Sequence, residues 1–161
     1  MNSGPTLALG ATGPDVRRLQ RLFVEMKLLD FQGIDGAFGP ITDQVVRDFE
    51  GSDGLVVDGI VGPATWSALP ADPHTPLLAN GSTGAEVAAL QEALTAYSNA
   101  DPATDPGPID GDFGASTEAA VRAYQGDRGV PVDGIVGDLT WWVPAGAAGA
   151  TLASLAGLTT V

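Results

Sequence analysis

The stretch "DGAFGPIT" (Asp35–Thr42) decides the fold, because it returns as "DGIVGPAT" from Asp58, "DGDFGAST" from Asp110 and "DGIVGDLT" from Asp133. Each copy reads Asp-Gly-x-x-Gly-x-x-Thr. Asp-Gly suits a turn: glycine takes positive φ without steric cost, and aspartate bonds nearby backbone amides. Phe38 or Val61 is then expected to point inward and pin the loop to the core. Gly39 or Gly62 falls at a helix start, and Pro40 or Pro63 suits the first helical position, where the missing N–H costs nothing. Thr42 and Thr65, in the first turn, are expected to satisfy an otherwise orphan amide. The phrase is read as a loop leading into a helix.

The copies are spaced as a repeat within a repeat. Asp35 to Asp58 is 23 residues, as is Asp110 to Asp133, and the two pairs are 75 residues apart. Upstream, "GPDVRRLQRLF" (Gly13–Phe23) matches "GAEVAALQEAL" (Gly84–Leu94) at an offset of 71. The four additional residues of the second unit fall in "YSNADPATDPGP" (Tyr97–Pro108). Such repeats define the architecture before any single element does. The expected division is a first unit at 1–70, a Pro-rich linker at 71–76, a second unit at 77–143 and an Ala/Gly-rich tail at 144–161.

Apolar residues at helical spacing fill in each unit. Val16, Leu19, Leu22, Phe23 and Met26 form a first helix, matched by Val87, Leu90, Leu94 and Tyr97. Ile41, Val45, Val46 and Phe49 form a second, matched by Ala120, Val121 and Tyr124. A short third helix carries Trp66 and Leu69, or Trp141. The predicted fold class is all-α: two tandem three-helix domains with Asp-Gly turn loops and an uncharged C-terminal tail.

Composition narrows the function. The formal charge of −13 repels phosphate backbones and anionic lipid, so neither nucleic acid nor a membrane is an expected partner. No apolar run is long enough to span a bilayer. No basic-then-apolar signal begins at Met1, so a mature form, or a chain not exported by that route, is expected. Cysteine is absent, which removes disulfides and thiolate sites. His74, the single histidine, sits in the linker and reads as solvated. An EF-hand would need oxygen ligands at alternating positions, and Ala37 and Gly39 break that alternation. There is no Walker lysine. Carboxylate pairs suited to glycoside hydrolysis are not marked out, because the acids fall on turns or polar helix faces. Neither metal nor cofactor is expected, and the chain is not read as an enzyme.

Three separated motifs now occur in order, twice. The first unit has Gly13, Asp15, Val16, Leu19 and Gln20; then Asp35, Gly36, Phe38, Gly39 and Thr42; then Val57, Asp58, Gly59, Gly62, Thr65 and Trp66. The second has Gly84, Glu86, Val87, Leu90 and Gln91; Asp110 to Thr117 with Tyr124 and Gln125; and Val132 to Trp141. This pattern resembles the three-helix bacterial peptidoglycan-binding domain family found beside wall hydrolases. The resemblance covers about four-fifths of the chain. It departs from the family at Phe49-Glu50, where aromatic-Gln is usual, and at Pro144, which stands where Leu69 does in the first unit. Trp142 is an added aromatic. The second unit's departures, with the acidic insertion in its first loop, make it the structural or partner-facing copy and the first unit the better candidate binder.

The resemblance implies a non-catalytic module that attaches to peptidoglycan, located at the cell wall or outside the cell. The candidate ligand-binding residues are Gln20, Asp35 and Asp58 in the first unit, with Gln91, Asp110, Gln125 and Asp133 in the second. The competing reading is that the glutamines tie helices to loops and the aspartates fix turns. An alternative function is a structural adaptor of a larger assembly, for example a phage tail or phage-like injection particle made in the cytoplasm. For that role Leu152, Leu155 and Leu158, on the uncharged tail, are the candidate docking residues for a protein partner; the competing reading of the tail is a disordered end or a strip packed over the two units.

Overall fold

The computed structural model describes residues 2–70, 75–146 and 150–158. These form two compact units, 2–70 and 75–158. Most of the expected linker, with His74, lies outside the described residues. Helices α1 (Pro14–Glu25), α2 (Pro40–Ser52) and α3 (Pro63–Ala68) build the first unit. Helices α4 (Ala85–Tyr97), α5 (Ala115–Arg128), α6 (Asp138–Trp142) and α7 (Leu152–Leu155) belong to the second. The described residues contain no extended strand, only isolated bridges. The fold is all-α, with two tandem three-helix modules, the second extended by the short helix α7.

The phrase works locally as its composition dictates. Its second residue has positive φ in every copy: Gly36 75°, Gly59 72°, Gly111 76° and Gly134 74°. Gly39 and Gly62 are N-caps, with Pro40 and Pro63 opening α2 and α3. Phe38, Val61, Phe113 and Val136 all point inward and are buried. An extended segment ahead of each unit's first helix clips both of its loops. Leu7 exchanges backbone hydrogen bonds with Val61, and Phe38 is held between Gly10 and Ala11. Leu78 with Val136, and Phe113 between Gly81 and Ser82, repeat the arrangement.

The first core gathers Leu7, Val16, Leu19, Leu22, Phe23, Phe38, Val46, Phe49, Val61, Trp66 and Leu69. Trp66 and Trp141 are wholly buried, and each indole N–H donates to a backbone carbonyl near its unit's start, Pro5 at 2.9 Å and Pro76 at 2.7 Å. This answers the requirement that a buried indole find an acceptor. Arg18 stacks over Trp66 at 4.6 Å from the ring centroid.

Three expectations are corrected. Ile41 is 72% exposed rather than part of the α2 core face. The buried stripe runs Thr42, Val46, Phe49 and Glu50, and Ile41 lies one residue, about 100°, off it. The threonines do not cap their helices: no side-chain cap bond forms at α2 or α3. Their hydroxyls turn inward instead, as described below. The tail is also not a free strip. Pro144 and Thr151 form a bridge, Thr151 and Ser154 close a capping box, and α7 packs on α4 and α6. Leu152 and Ala153 are fully buried there. Leu152 is therefore a core residue of the second unit and not a docking residue. Leu155 is 38% exposed and Leu158 half-buried.

The lengthened loop of the second unit has its own support. Asp101 caps a single turn at Pro102–Thr104 by accepting from the Ala103 N–H, and this turn packs on α5 with Thr104 buried.

Candidate functional site

Each Asp-Gly loop is gripped from beneath by one helical side chain. Gln20, on α1, accepts the N–H groups of Asp35 and Gly36 on Oε1, at 3.1 and 2.9 Å. Its Nε2 donates to Asp35 Oδ1 at 2.9 Å, to the Ala37 carbonyl at 3.1 Å and to Thr42 Oγ1 at 3.1 Å. Gln91, on α4, repeats this with the Asp110 and Gly111 N–H groups, Asp110 Oδ1, the Asp112 carbonyl and Thr117. Gln125, on α5, repeats it with the Asp133 and Gly134 N–H groups, Asp133 Oδ1, the Ile135 carbonyl and Thr140. One amide thus reads a turn through both of its atoms. That use suits glutamine, the long neutral side chain with an acceptor and a donor pair at one tip.

The aspartates complete the turns. Asp35, Asp58, Asp110 and Asp133 each accept the N–H two residues ahead at 2.9–3.0 Å. The Ala37 N–H, reinforced by the Gln20 amide, holds the Asp35 carboxyl below its ordinary value. The Asp112 N–H and then Gln91 do the same for Asp110. Hydrogen bonds to the charged form are the cause in both cases.

The seven candidate residues thus separate by exposure. Gln20, Gln91 and Gln125 are buried and committed to the loops, while the four aspartates are exposed. Open grooves lie beside three of the loops. One of about 160 Å3 is lined by Leu29, Asp35, Pro40, Ile41 and Thr42. A second, of about 260 Å3, is lined by Val56, Asp58, Ile60, Pro63 and Thr65. A third, of about 190 Å3, is lined by Pro106, Pro108, Asp110, Asp112 and Thr117. In each the aspartate rim, the following helix's first turn and the clamped threonine meet.

Two participants escaped the sequence reading. Glu50, wholly buried on α2, takes the glutamine's place under the Asp58 loop and accepts the Asp58 and Gly59 N–H groups at 3.1 and 3.0 Å. Its position is homologous to Gln125, so the Phe49-Glu50 departure carried the signal. The other is an arginine one turn before the clamp. Arg17, Arg47 and Arg122 lie against Gly36, Gly59 and Gly134. Arg47 pairs with Asp43 and Arg122 with Glu118, at 3.1 and 3.3 Å. Ala88 holds this position before Gln91. The constant spacing of three residues from arginine to clamp was visible in the sequence.

The described residues place no group of three His, Asp or Glu side chains for a metal ion. One carboxyl pair does meet. Asp101 and Asp127 share a hydrogen bond that lowers the first and raises the second. It joins the lengthened loop to the last turn of α5.

The geometry defines a class: small helical modules, in tandem, that present exposed aspartate turns and shallow grooves from loops locked by buried side chains. The chain belongs to the family described as "Putative peptidoglycan binding domain", which matches residues 12–69 and 83–142. Its relatives include the N-acetylmuramoyl-L-alanine amidase CwlL of Bacillus licheniformis, 33% identical over 86% of this chain and 45% of the relative. The N-acetylmuramoyl-L-alanine amidase CwlM of Mycobacterium tuberculosis is 32% identical over 85% of this chain and 36% of the relative. Among solved structures, a Burkholderia AP3 phage endolysin is 34% identical over 75% of this chain and 38% of its own, with a TM-score of 0.38. The chain spans less than half the length of these relatives. No helix among the described residues is long and apolar enough to cross a membrane.

Proposed function

We propose that this chain is a non-catalytic module that attaches to cell-wall peptidoglycan through the grooves beside its Asp-Gly loops. The observation that carries this reading is the recurrence of one clamped loop beside an open groove, at Asp35, Asp58 and Asp110, within a peptidoglycan-binding family. The exposed carboxylates of Asp35, Asp58, Asp110 and Asp133 accept hydrogen bonds from an amide-rich ligand. Gln20, Gln91 and Gln125 act behind them as positioning residues. A rigid loop loses little entropy on binding, which favours even a shallow contact. Relatives named as N-acetylmuramoyl-L-alanine amidases fit a role in which such a pair keeps a partner activity close to its substrate.

Co-sedimentation with purified insoluble peptidoglycan tests this directly. The protein should pellet with the wall, and Asp35→Asn with Asp110→Asn should reduce the bound fraction without unfolding either unit. Soluble muropeptides should not be released. Absence of pelleting would end the binding proposal, and steady release of fragments would end its non-catalytic part. The adaptor alternative drew on the acidity and the leader reading as well as on a free apolar tail, and the burial of Leu152 and Ala153 weakens only the last of these.

A further inference from the structure

Three of the clamps end in an amide and one in a carboxylate, and the difference falls at a groove. Under the loops at Asp35, Asp110 and Asp133, a glutamine Nε2 donates to the aspartate Oδ1, a loop carbonyl and a threonine hydroxyl. Glu50 accepts the equivalent backbone N–H groups on Oε2 but has no amide hydrogen to give. Its Oε1 is met by the Thr65 hydroxyl at 3.4 Å. That exceeds the ordinary O–H···O range of about 2.5–3.0 Å. Asp58 Oδ1 keeps the Ile60 N–H, and the Ile60 carbonyl keeps a 3.4 Å approach from Thr65. Neither receives the side-chain donor that its counterparts receive.

The carboxylate at this clamp is met by hydrogen-bond donors alone, with no cation bonded to it among the described residues. Glu50 is 0% exposed. The neighbouring cation, Arg47 one turn earlier, is engaged with Asp43 at 3.1 Å. A buried carboxylate calls for a positive partner or further donors. Asp58 and Thr65, both of which Glu50 touches, line the groove of about 260 Å3. Around that polar wall stand apolar side chains left in water, Val56 at 79% and Ile60 at 42% exposure. The groove offers acceptors backed by negative charge, no lining cation, and an apolar rim. Its complement is an aliphatic chain ending in a cation with hydrogens to donate.

We propose that this groove is a subsite for a primary ammonium on a short aliphatic chain, as carried by a diamino acid of a wall peptide. The proposal rests on the peptidoglycan reading and sharpens it. The ammonium donates to the Asp58 carboxylate, which lines the groove and lacks the glutamine's donor. Glu50, behind it, supplies charge and acts as a positioning residue. The aliphatic stem lies on Val56 and Ile60. The net charge of −13 draws such a cation in.

The test uses the full chain and insoluble peptidoglycan with uncrosslinked diamino-acid side chains, native or with its amines acetylated. Acetylation should weaken wild-type binding about tenfold, a change equivalent to about 1.4 kcal/mol. Glu50→Gln should bind native wall about as weakly as wild type binds acetylated wall, and acetylation should then change nothing further. The same variant should melt at a higher temperature than wild type, because it rebuilds the glutamine clamp; weak binding then cannot be ascribed to unfolding. Asp58→Asn, with Glu50 left in place, should show the same loss. Nα-acetyl-lysine methylamide should compete for the site, and competition by glucosamine alone would overturn the assignment to a peptide side chain. Equal wild-type binding to native and acetylated wall would overturn the subsite while leaving wall attachment standing. Failure to bind either wall would overturn both.

Discussion

A side chain that answers a turn with both ends of its amide cannot be shortened without exposing several backbone groups at once. Gln91→Ala leaves the Asp110 and Gly111 N–H groups and the Asp112 carbonyl without partners beside a buried threonine. A buried orphan polar group costs about 1–3 kcal/mol, so the variant should lose about 2–4 kcal/mol from the second unit. Denaturant unfolding read by Trp141 fluorescence checks this, and a loss below about 1 kcal/mol would mean the loop finds water instead. The aspartates give a separate prediction, in pH. The folded Asp35 carboxyl titrates below its ordinary value of 3.8, chiefly through the Ala37 N–H and then Gln20. Its contribution is therefore full above the unfolded value and disappears as pH falls through the folded one. Asp35→Asn, which keeps an acceptor oxygen for both donors, should flatten the acid limb of the first unit's stability below about pH 4. An unchanged limb would place the acid sensitivity elsewhere.

At the scale of elements, the last short helix decides whether the chain's end belongs to the fold. The α7 helix has four residues, too few to be stable alone, yet Leu152 and Ala153 are completely buried against α4 and α6. Ending the chain after Pro144 should therefore destabilise the second unit by about 3–5 kcal/mol, as emptying a core leucine site does. Leu152→Ala should reproduce most of that loss. The first unit's transition should not move, and calorimetry separates the two. The sequence left docking and packing of this strip open for a physical reason. Small residues hide a packed turn, because "ATLASLAG" (Ala150–Gly157) shows no strong helical stripe, and its signal was the Thr151–Ser154 capping box. Leucine spacing alone cannot distinguish a strip that waits for a partner from one already buried. The repeated loops were legible because their requirements are local: a positive-φ glycine, a proline at the first helical position, an inward apolar residue. Gln20 and Gln91 were marked by the repeated Gly-x-Asp/Glu-Val-x-x-Leu-Gln motif and the resemblance it carries. That they tie a helix to a loop was one of the two readings; the individual bonds were hidden, because the partners of each lie 15–26 residues away in sequence. Ile41 was misread because period alone does not fix the phase of a helix face at its first turn.

For the whole molecule, the consequence of tandem construction is in binding strength. Each unit has its own buried tryptophan, its own clamped loops and its own grooves. Each should fold alone, as residues 1–70 and 75–161, though domains this small bury a modest fraction of their surface and should be less stable than larger ones. A polymer with many identical sites converts the second contact into an intramolecular event, whose effective concentration is set by the short connection between the units. The tandem should hence bind insoluble peptidoglycan at least tenfold more tightly than the better single unit, against a ceiling of about 10²–10⁴ for two linked contacts. The gain should appear mainly as slower dissociation, because linked contacts must release together. Equal affinity for the tandem and the first unit would mean that only one unit engages the wall. The unlike chemistry of their grooves makes that outcome informative. The first unit backs its Asp58 groove with Glu50, whereas the second sets Asp110 and Asp112 over a neutral Gln91. If the tandem gain survives acetylation of the wall's amines while the first unit's own binding does not, the second unit must hold a different part of the polymer. Loss of the gain on acetylation would instead mean that both units need the same ammonium.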